Sequence, residues 1–507
     1  MSNAIVSTLR RGPIVASLLI GAFVALLSQT LLNVALPKMM TDLEIGSNTI
    51  QWLVTGYMLV NGVVIPITAY LISKFSTRQL YMVAMGLFTA GTVVAAVAPD
   101  FGTLLTGRLI QAVGAGIMMP LMSVVFLTIF PIEQRGKAMG MMGLAMIFAP
   151  AIGPTLSGWV VEHYSWRVLF YIVLPLAIFS LIYGAFAMKN VTQTSKPKLD
   201  VLGVIFSTLG FGGILYGFSD AGNDGWDSSR VIVSLTVGAV ALVLFVWREL
   251  VAKKPLLEFR VFKFDMYSLT TVINVIITMA MFSAMVLMPI YLQNIRGFTP
   301  LESGLLLLPG AILMGIMSPI TGMIFDKIGA RWLAVIGLII TAFTTWELSR
   351  IALDSSYMHI ILIYSARMFG MSLLMMPIQT AGMNQLPQTL NSHGSAMSQT
   401  LRNVAGALGT ALLVTIMTNK AADEGKVLTQ ASGIDPTDKA NAAQLVEIGK
   451  EATLYGIQHA FVVATWITVA ALVLAFFIRK VKPHHEVMKS DSNAKAEASK
   501  SSAQVSR

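Results

Sequence analysis

Cysteine is absent from the 507-residue chain, and charged residues make up only 12% of it. Without cysteine, disulfide frameworks, thiolate zinc sites, iron–sulfur clusters and cysteine nucleophiles are excluded, and no metal or cofactor is expected. Soluble globular proteins carry about 25% charged residues, so the chain lacks enough polar side chains for a water-facing surface. It is 55% hydrophobic instead. Most of it must therefore face lipid or pack against itself.

Apolar runs divide the chain into fourteen candidate membrane helices. A transmembrane helix needs about 20 predominantly apolar residues, and fourteen runs of roughly this length alternate with charged or Gly/Pro/Asn-rich breaks. The first run follows Arg10 and Arg11 but is longer than a signal peptide's apolar region and lacks a small-residue cleavage site. We expect it to be retained. The pattern predicts an all-α polytopic membrane protein.

The distribution of positive charge indicates how the chain is oriented in the membrane. The formal net charge is +10, but Lys and Arg lie in short clusters between apolar runs rather than along one basic face, so nucleic acid is not expected as a partner. Most of these clusters lie on the side that carries both ends of the chain. The positive-inside rule then predicts a cell-membrane protein with both termini in the cytoplasm. Residues 421–453 are predicted to form an external loop with some helix, and residues 481–507 a disordered cytoplasmic tail.

An internal repeat relates the two ends of the helical region. Arg108 and Arg367 each precede a Met-Met-Pro, and the loop 73–78 matches the loop 326–331. The copies predict two like-oriented six-helix bundles around a site near the middle of the membrane, which is an architecture of rocking transporters. The expected organisation is an N-terminal bundle at 1–188, a linker with inserted helices 7 and 8 at 189–265, and a C-terminal bundle at 266–480.

Several motifs in order resemble a known transporter family. Residues 143–159, GLAMIFAPAIGPTLSGW, are similar to the helix 5 antiporter signature of the major facilitator superfamily, and Trp166-Arg167 is similar to its helix 6 start. The resemblance is to the fourteen-helix drug:proton antiporters. It implies a major facilitator fold and a secondary active exporter of amphipathic drugs that exchanges them for protons and confers antibiotic resistance. Ser28 and Ser73, however, stand where that family usually has Asp, so neither position can be assigned a coupling role.

Arg108 is the strongest candidate for proton coupling. A guanidinium in a membrane helix is costly unless it faces a polar interior. The residue resembles the Arg of the family's helix 4 motif, and Gln111 follows it on the same helix face. The competing interpretation is that Arg108 snorkels to the nearby membrane surface. Asp326 is a further candidate, as a carboxylate that caps a helix or pairs with Arg when the inner side is closed; it could also lie in a solvated turn.

Polar side chains recur on the helices that line the central cavity in this family. Their spacing of three or four residues places each pair on one helix face, although such residues also hydrogen-bond one helix to another. The candidate cavity residues are Gln29, Asn33, Asn274, Thr278 and Arg367.

Helix 5 is predicted to act as a gate. Glycines permit close helix approach, and prolines loosen the backbone hydrogen bonds where a bend must open and close. Gly and Pro are also simply commoner in membrane helices. The candidate gating residues are Gly143, Pro150, Gly153, Pro154 and Gly158.

The positions of the acidic residues predict the sign of the substrate's charge. Glu347 lies near the outer end of helix 11, where it can pair with Arg350, and Asp220 is expected after helix 7, so the predicted membrane interior holds no acid. Its predicted charges are all positive: Arg108, Arg367 and Arg402. A desolvated cation would need a counter-charge, so we expect a neutral or anionic amphiphile and a monomer working among membrane lipids.

Two other functions stay open at this point. A translocator of lipids or lipid-linked precursors would use the same fold. A polytopic glycosyltransferase would need external carboxylates, for which Asp42 and Glu44 are the only hint.

Overall fold

In the part of the chain that the structure describes, fourteen helices are long and apolar enough to cross a membrane. The computed structural model describes residues 10–50, 52–192, 194, 199–252, 255–432 and 441–479. The first six helices are α1 Arg11–Asp42, α2 Trp52–Lys74, α3 Thr77–Ala96, α4 Phe101–Ile129, α5 Arg135–His163 and α6 Arg167–Ala187. The others are α7 Val201–Asp224, α8 Ser229–Val251, α9 Asp265–Ile290, α10 Pro300–Ile328, α11 Ala330–Leu348, α12 in two pieces, Tyr357–Ser372 and Met375–Gln385, α13 Asn391–Ser432 and α14 Ala442–Ala475.

Short connections make successive helices run in opposite directions. We call the end of the molecule where α1 begins and α14 ends the terminal face, and the other end the opposite face. Capping side chains determine several helix starts: Ser76 forms a capping box with Gln79 at α3, and Asp100 accepts hydrogen bonds from Thr103 at α4. These hydrogen bonds hold the pKa of Asp100 below its ordinary value, and the N-terminal end of the α4 dipole also favours its carboxylate.

The apolar core has two main parts. One joins buried residues between Ile14 and Met188, together with Met376, and the other joins residues between Ile273 and Ile478. Helix α7 packs against both α2 and α13, and α8 packs on α7, where Gly213 and Gly238 bring the backbones together. The inserted pair therefore lies along the line where α2 and α13 meet.

Helix α12 is interrupted, although its apolar run predicts one continuous helix. The N–H groups of Leu373 and Leu374 bond three residues back, to Gly370 and Met371, rather than four. Pro377 also removes the N–H that would bond the carbonyl of Leu373. Helix α4, the repeat partner with the same Met-Met-Pro, is unbroken. A second irregularity is the π turn Tyr291–Ile295 that ends α9.

Asp220 was expected to follow helix 7, and this expectation is wrong. Helix α7 continues to Asp224, so Asp220 lies inside it, and one of its carboxylate oxygens is buried without a hydrogen-bond partner. The backbone hydrogen bonds carry the helix past the point where its apolar run stops. Glu347 and Arg350 do pair, with Nη1 3.7 Å from Oε1.

Helices α13 and α14 extend beyond the membrane at the opposite face. Helix α13 has 42 residues. At about 1.5 Å per residue it is roughly twice as long as the hydrocarbon core is thick. Of the predicted external loop 421–453, residues 421–432 and 442–453 are helical, and 433–440 lie outside the described residues. The predicted tail 481–507 also lies outside them.

Candidate functional site

Arg108 is held in a cage of side chains from the first four helices. It is 0% exposed, and its Nη1 donates to Gln111 Oε1 at 2.9 Å and to Ser28 Oγ at 3.2 Å. Gln111 in turn donates to Thr92 Oγ1 at 2.7 Å. The Arg108 guanidinium carbon lies 4.2 Å from the ring centroid of Tyr57, a cation–π distance. The side chain is therefore enclosed by α1, α2 and α3 rather than extended to the membrane surface.

The cage leaves part of the guanidinium unsatisfied. Nε and Nη2 of Arg108 are buried without a hydrogen-bond partner, and none of the ion pairs among the described residues includes this side chain. Leaving buried donors unpaired costs about 1–3 kcal/mol for a group, more when it is charged. The site thus combines a buried positive charge with free donors, and it favours an acceptor or an anionic group.

Arg367 occupies an equivalent cage in the second half. It is also 0% exposed, with Nε donating to Thr345 Oγ1 at 3.2 Å and Nη2 to the carbonyl of Ala280 at 2.8 Å. The spacing that relates the loops 73–78 and 326–331 also relates Thr92 to Thr345. Nη1 of Arg367 is buried without a partner. Arg367 therefore bonds directly to α9 and α11, whereas Arg108 bonds to α1 and reaches the equivalent α3 through Gln111.

Arg402 is a third guanidinium in the interior. On α13, it donates from Nη1 to Gln379 Oε1 at 3.1 Å and from Nη2 to Gln399 Oε1. The contact with Gln379 joins α13 to the second piece of α12. Its two partners are neutral amides, so it too keeps its positive charge uncompensated by a hydrogen-bonded acid.

The other predicted cavity residues lie on α1 and α9. Asn274 and Thr278 are buried on α9, and the Thr278 hydroxyl donates to the Asn274 carbonyl of its own helix at 2.7 Å. Gln29 is partly buried on α1, and the side chain of Asn33 lies outside the described residues. Within the described part of the chain, no hydrogen bond joins Gln29 to Asn274 or Thr278. No group of three or more metal-ligating side chains occurs among the described residues either.

Asp326 connects the two halves at the terminal face. Its Oδ1 accepts from the backbone N–H of Gly136 at 2.8 Å and its Oδ2 from that of Lys137 at 3.0 Å. These amides belong to the first turn of α5, whose dipole favours a carboxylate. Nearby, Arg135 Nη1 donates to Asn384 Oδ1 at 3.1 Å. Because Arg108 lies near the other end of the bundle, the structure does not bring Asp326 together with Arg108 and Gln111.

The predicted gating helix α5 packs closely against α10 on one side and against α1 on the other. On the α10 side, Ser318 Oγ donates to the carbonyl of Gly140 at 3.0 Å, and a Cβ on Gly143 would meet Ser318. On the α1 side, a Cβ on Gly153 would lie 2.8 Å from Thr30 Cβ. Gly158 has more room, since its Cβ would be 3.6 Å from the Leu301 nitrogen.

The two prolines of α5 do not interrupt it. The helix is continuous from Arg135 to His163 through Pro150 and Pro154. Two hydroxyls join it to α1: Thr30 Oγ1 lies 3.3 Å from the Ala149 carbonyl, and Ser157 Oγ donates to the Leu31 carbonyl of α1 at 2.5 Å. In this state α5 is one uninterrupted helix that packs along α1.

Sequence reasoning missed the partners that hold the arginines. Tyr57, Thr92, Thr345 and Gln379 carry no motif of their own. The repeat did contain a signal for Thr92 and Thr345, because they are the same residue type at equivalent positions.

Comparison with known proteins decides the family. Residues 18–410 match the family model of the Major Facilitator Superfamily. The chain belongs to the Major Facilitator Superfamily. Among similar Major Facilitator proteins, the uncharacterized MFS-type transporter YhcA of Bacillus subtilis (strain 168) is 51% identical over 490 residues and covers 92% of each chain. Lincomycin resistance protein LmrB of the same organism is 45% identical over 475 residues, covering 93% of this chain and 97% of LmrB.

A solved structure has the same Major Facilitator fold. The human organic anion transporter MFSD10 (TETRAN) superimposes with a TM-score of 0.65 over 92% of this chain and 99% of its own, at 11% identity. The predicted fold and family are thus confirmed. The protein is a multi-pass membrane transporter of a small molecule rather than an enzyme, which removes the glycosyltransferase alternative.

Replacing Arg108 with Ala should abolish gradient-driven transport while the protein stays folded. The change removes the charge and leaves acceptors of Ser28 and Gln111 unpaired, at a stability cost of about 1–3 kcal/mol. Transport in proteoliposomes and thermal melting measure the two effects. Arg350→Ala is the matched control, since Arg350 is 61% exposed at the end of α11. Wild-type transport by the Arg108 variant would refute the role.

Replacing Gly153 with Leu should trap one conformational state, because the side chain must enter the Thr30 contact. Because the chain has no Cys, single introduced cysteines can report accessibility at each face without background. Gly86→Leu is the control, since nothing lies within 4 Å of a Cβ there. If the Gly153 variant alternates normally between the two labelling patterns, α5 is ordinary scaffold.

Proposed function

We propose that the protein is a secondary active exporter that exchanges amphipathic small molecules, drugs among them, for protons by alternating access. The observation that carries the proposal is the 45% identity to LmrB over nearly the whole of both chains. A second group of relatives is named for multidrug transport or resistance, such as MdtP of Bacillus subtilis at 29% identity. Similarity along the entire length supports a shared transport cycle rather than a shared fold alone.

We place the protein in the cell membrane with the terminal face in the cytoplasm. The distribution of Lys and Arg supports this orientation. Asp326, Gly136 and the Arg135–Asn384 contact join the halves at that face, which supports a state whose cytoplasmic side is closed. Alternating access then requires these contacts to break when the halves rock apart.

The buried charges favour neutral or anionic substrates. Arg108, Arg367 and Arg402 are all buried, and their hydrogen-bond partners are hydroxyls, amides and a carbonyl. Within the described residues, the acids inside helices with a buried unpartnered oxygen are Asp220 and Glu249, and both lie on the inserted pair α7 and α8. A cationic substrate between the bundles would meet repulsion without a nearby counter-charge.

Proton coupling is assigned to Arg108 and Gln111 together with Asp326. Arg108 has free donors and no ion-pair partner, so binding of an acceptor group there would stabilise it. Asp326 would gain a proton or lose its backbone donors when α5 moves away. Movement of α5 would affect both Asp326 and the Arg108 cage, because α5 contacts α10 at one end and α1 further along.

Transport in proteoliposomes with an imposed pH gradient tests the function. The panel is lincomycin, ethidium as a lipophilic cation, taurocholate as an anionic amphiphile and a fluorescent phosphatidylglycerol. We expect gradient-dependent movement of lincomycin or the anionic amphiphile, and none after the gradient is dissipated with an ionophore. Protein-free liposomes and the Arg108→Ala variant are the controls.

Each other result has a defined meaning. Movement of the lipid alone would replace the drug exporter with a lipid translocator on the same fold. Strong ethidium export without anion transport would overturn the proposed substrate sign. Transport that is unaffected by the pH gradient would overturn proton coupling.

A further inference from the structure

The two seams between the halves are not closed in the same way at the terminal face. On the α5–α10 seam, Asp326 accepts two backbone hydrogen bonds from the other half. By the repeat, the corresponding position for the α2–α13 seam is Ser73, which has no carboxylate. Its hydroxyl donates to the Ala69 carbonyl of its own helix at 3.0 Å.

The segment between α8 and α9 fills the terminal side of the α2–α13 seam. We call its described residues 255–263 the strap. Leu256 and Leu257 of the strap are 2% and 0% exposed. They belong to an apolar cluster that includes residues of α2, α7, α8 and α13, namely Ile65, Ala69, Tyr70, Phe211, Phe245, Ala396 and Met397. The strap therefore bridges the two halves.

Two side chains fix consecutive amides of the strap. Glu249 Oε2, on α8, accepts from the Leu257 N–H at 3.1 Å. His393 Nδ1, in the first turn of α13, accepts from the Glu258 N–H at 3.2 Å. One amide is thus tied to the inserted pair and the next to the C-terminal half.

The carboxyl group of Glu249 is buried on α8. It is 2% exposed, and no other acid in the described part of the chain is as buried. The charged neighbours are otherwise engaged: Arg248 pairs with Asp200 at 3.0 Å, and Glu258 pairs with Arg260 at 3.5 Å. Burying a carboxyl group is expensive, and the strap amide supplies the hydrogen bond that Oε2 accepts, whereas Oε1 has no partner among the described residues.

We propose that the strap is a second latch, which holds the terminal side of the α2–α13 seam closed as Asp326 holds the α5–α10 seam. Glu249 anchors it to the inserted pair, and the hydrogen bond to His393 is the contact that breaks when α13 moves away. The inference rests on alternating access in the proposed function. It gives the inserted helices a role in the transport cycle.

Cysteine labelling of purified protein in nanodiscs tests the latch. Ala396, 0% exposed in the strap cluster, is changed to Cys in the cysteine-free chain as the reporter. Glu249→Leu and His393→Phe keep side-chain bulk but remove the acceptors. Glu249→Gln and His393→Asn are the matched controls, because each keeps an acceptor near the same place. We expect the Leu and Phe variants to react with maleimide about three- to ten-fold faster, the effect of one lost hydrogen bond, and the controls to react near the wild-type rate.

Combined variants test whether the two side chains act on one element. Glu249→Leu with His393→Phe should label no faster than the faster single variant, whereas His393→Phe with Asp326→Ala should exceed either alone, since two latches are then lost. Elution volume and melting temperature identify variants that fail to fold. If the Glu249 variants fail to fold, the labelling rates of His393→Phe and His393→Asn decide the test. Wild-type labelling in the His393→Phe variant, or equal labelling in the His393 Phe and Asn variants, would overturn the latch. Labelling needs no substrate, so either result leaves the drug-export assay interpretable.

Discussion

Arg108 has to stay charged and dry inside a helical bundle, and much of the first half is arranged around that requirement. A guanidinium in the membrane interior costs several kcal/mol when it faces hydrocarbon. Here hydroxyl and amide groups from α1 and α4 accept from it and an aromatic ring covers it. These contacts fix how α1, α2, α3 and α4 approach one another. They leave Nε and Nη2 of Arg108 without a hydrogen-bond partner among the described residues, so the packing does not neutralise the charge.

The repeat reproduces this arrangement once and then departs from it. Arg367 bonds directly to α9 and α11, whereas Arg108 bonds to α1 and reaches α3 through Gln111. In the second half, however, α12 is broken just beyond the arginine, and a backbone carbonyl replaces the Ser28 hydroxyl. The terminal face diverges as well, since Asp326 has a carboxylate where Ser73 has none. Two bundles with the same outline are thus joined by unequal contacts.

The sequence predicts what depends on local pattern. Hydrophobic length predicted the fourteen helices because the bilayer sets the length, and the repeated Met-Met-Pro identified Arg108 and Arg367 as equivalents. The sequence did not predict the break in α12, because α4 has the same motif and is unbroken. The difference therefore arises in packing. The partners of Asp326 are backbone amides of a distant helix, which no side-chain pattern marks. Asp220 was misplaced because hydropathy ends before the helix does.

The contacts at the two seams contribute to the free-energy difference between the closed and open states. Each latch contact is one or two hydrogen bonds, and a net hydrogen bond contributes about 0.5–1.5 kcal/mol, or 1.5–3 when a charged group takes part. The glycine contacts of α5 with α10 add close packing along one seam, whereas the other seam is bridged by a strap and the inserted helices. A difference of a few kcal/mol between closed and open states is within the range that differential binding of a small molecule or a proton can reverse. In the proposed cycle both seams open at the terminal face, but against different contacts: glycine packing and the Asp326 hydrogen bonds on one seam, the strap and the inserted helices on the other.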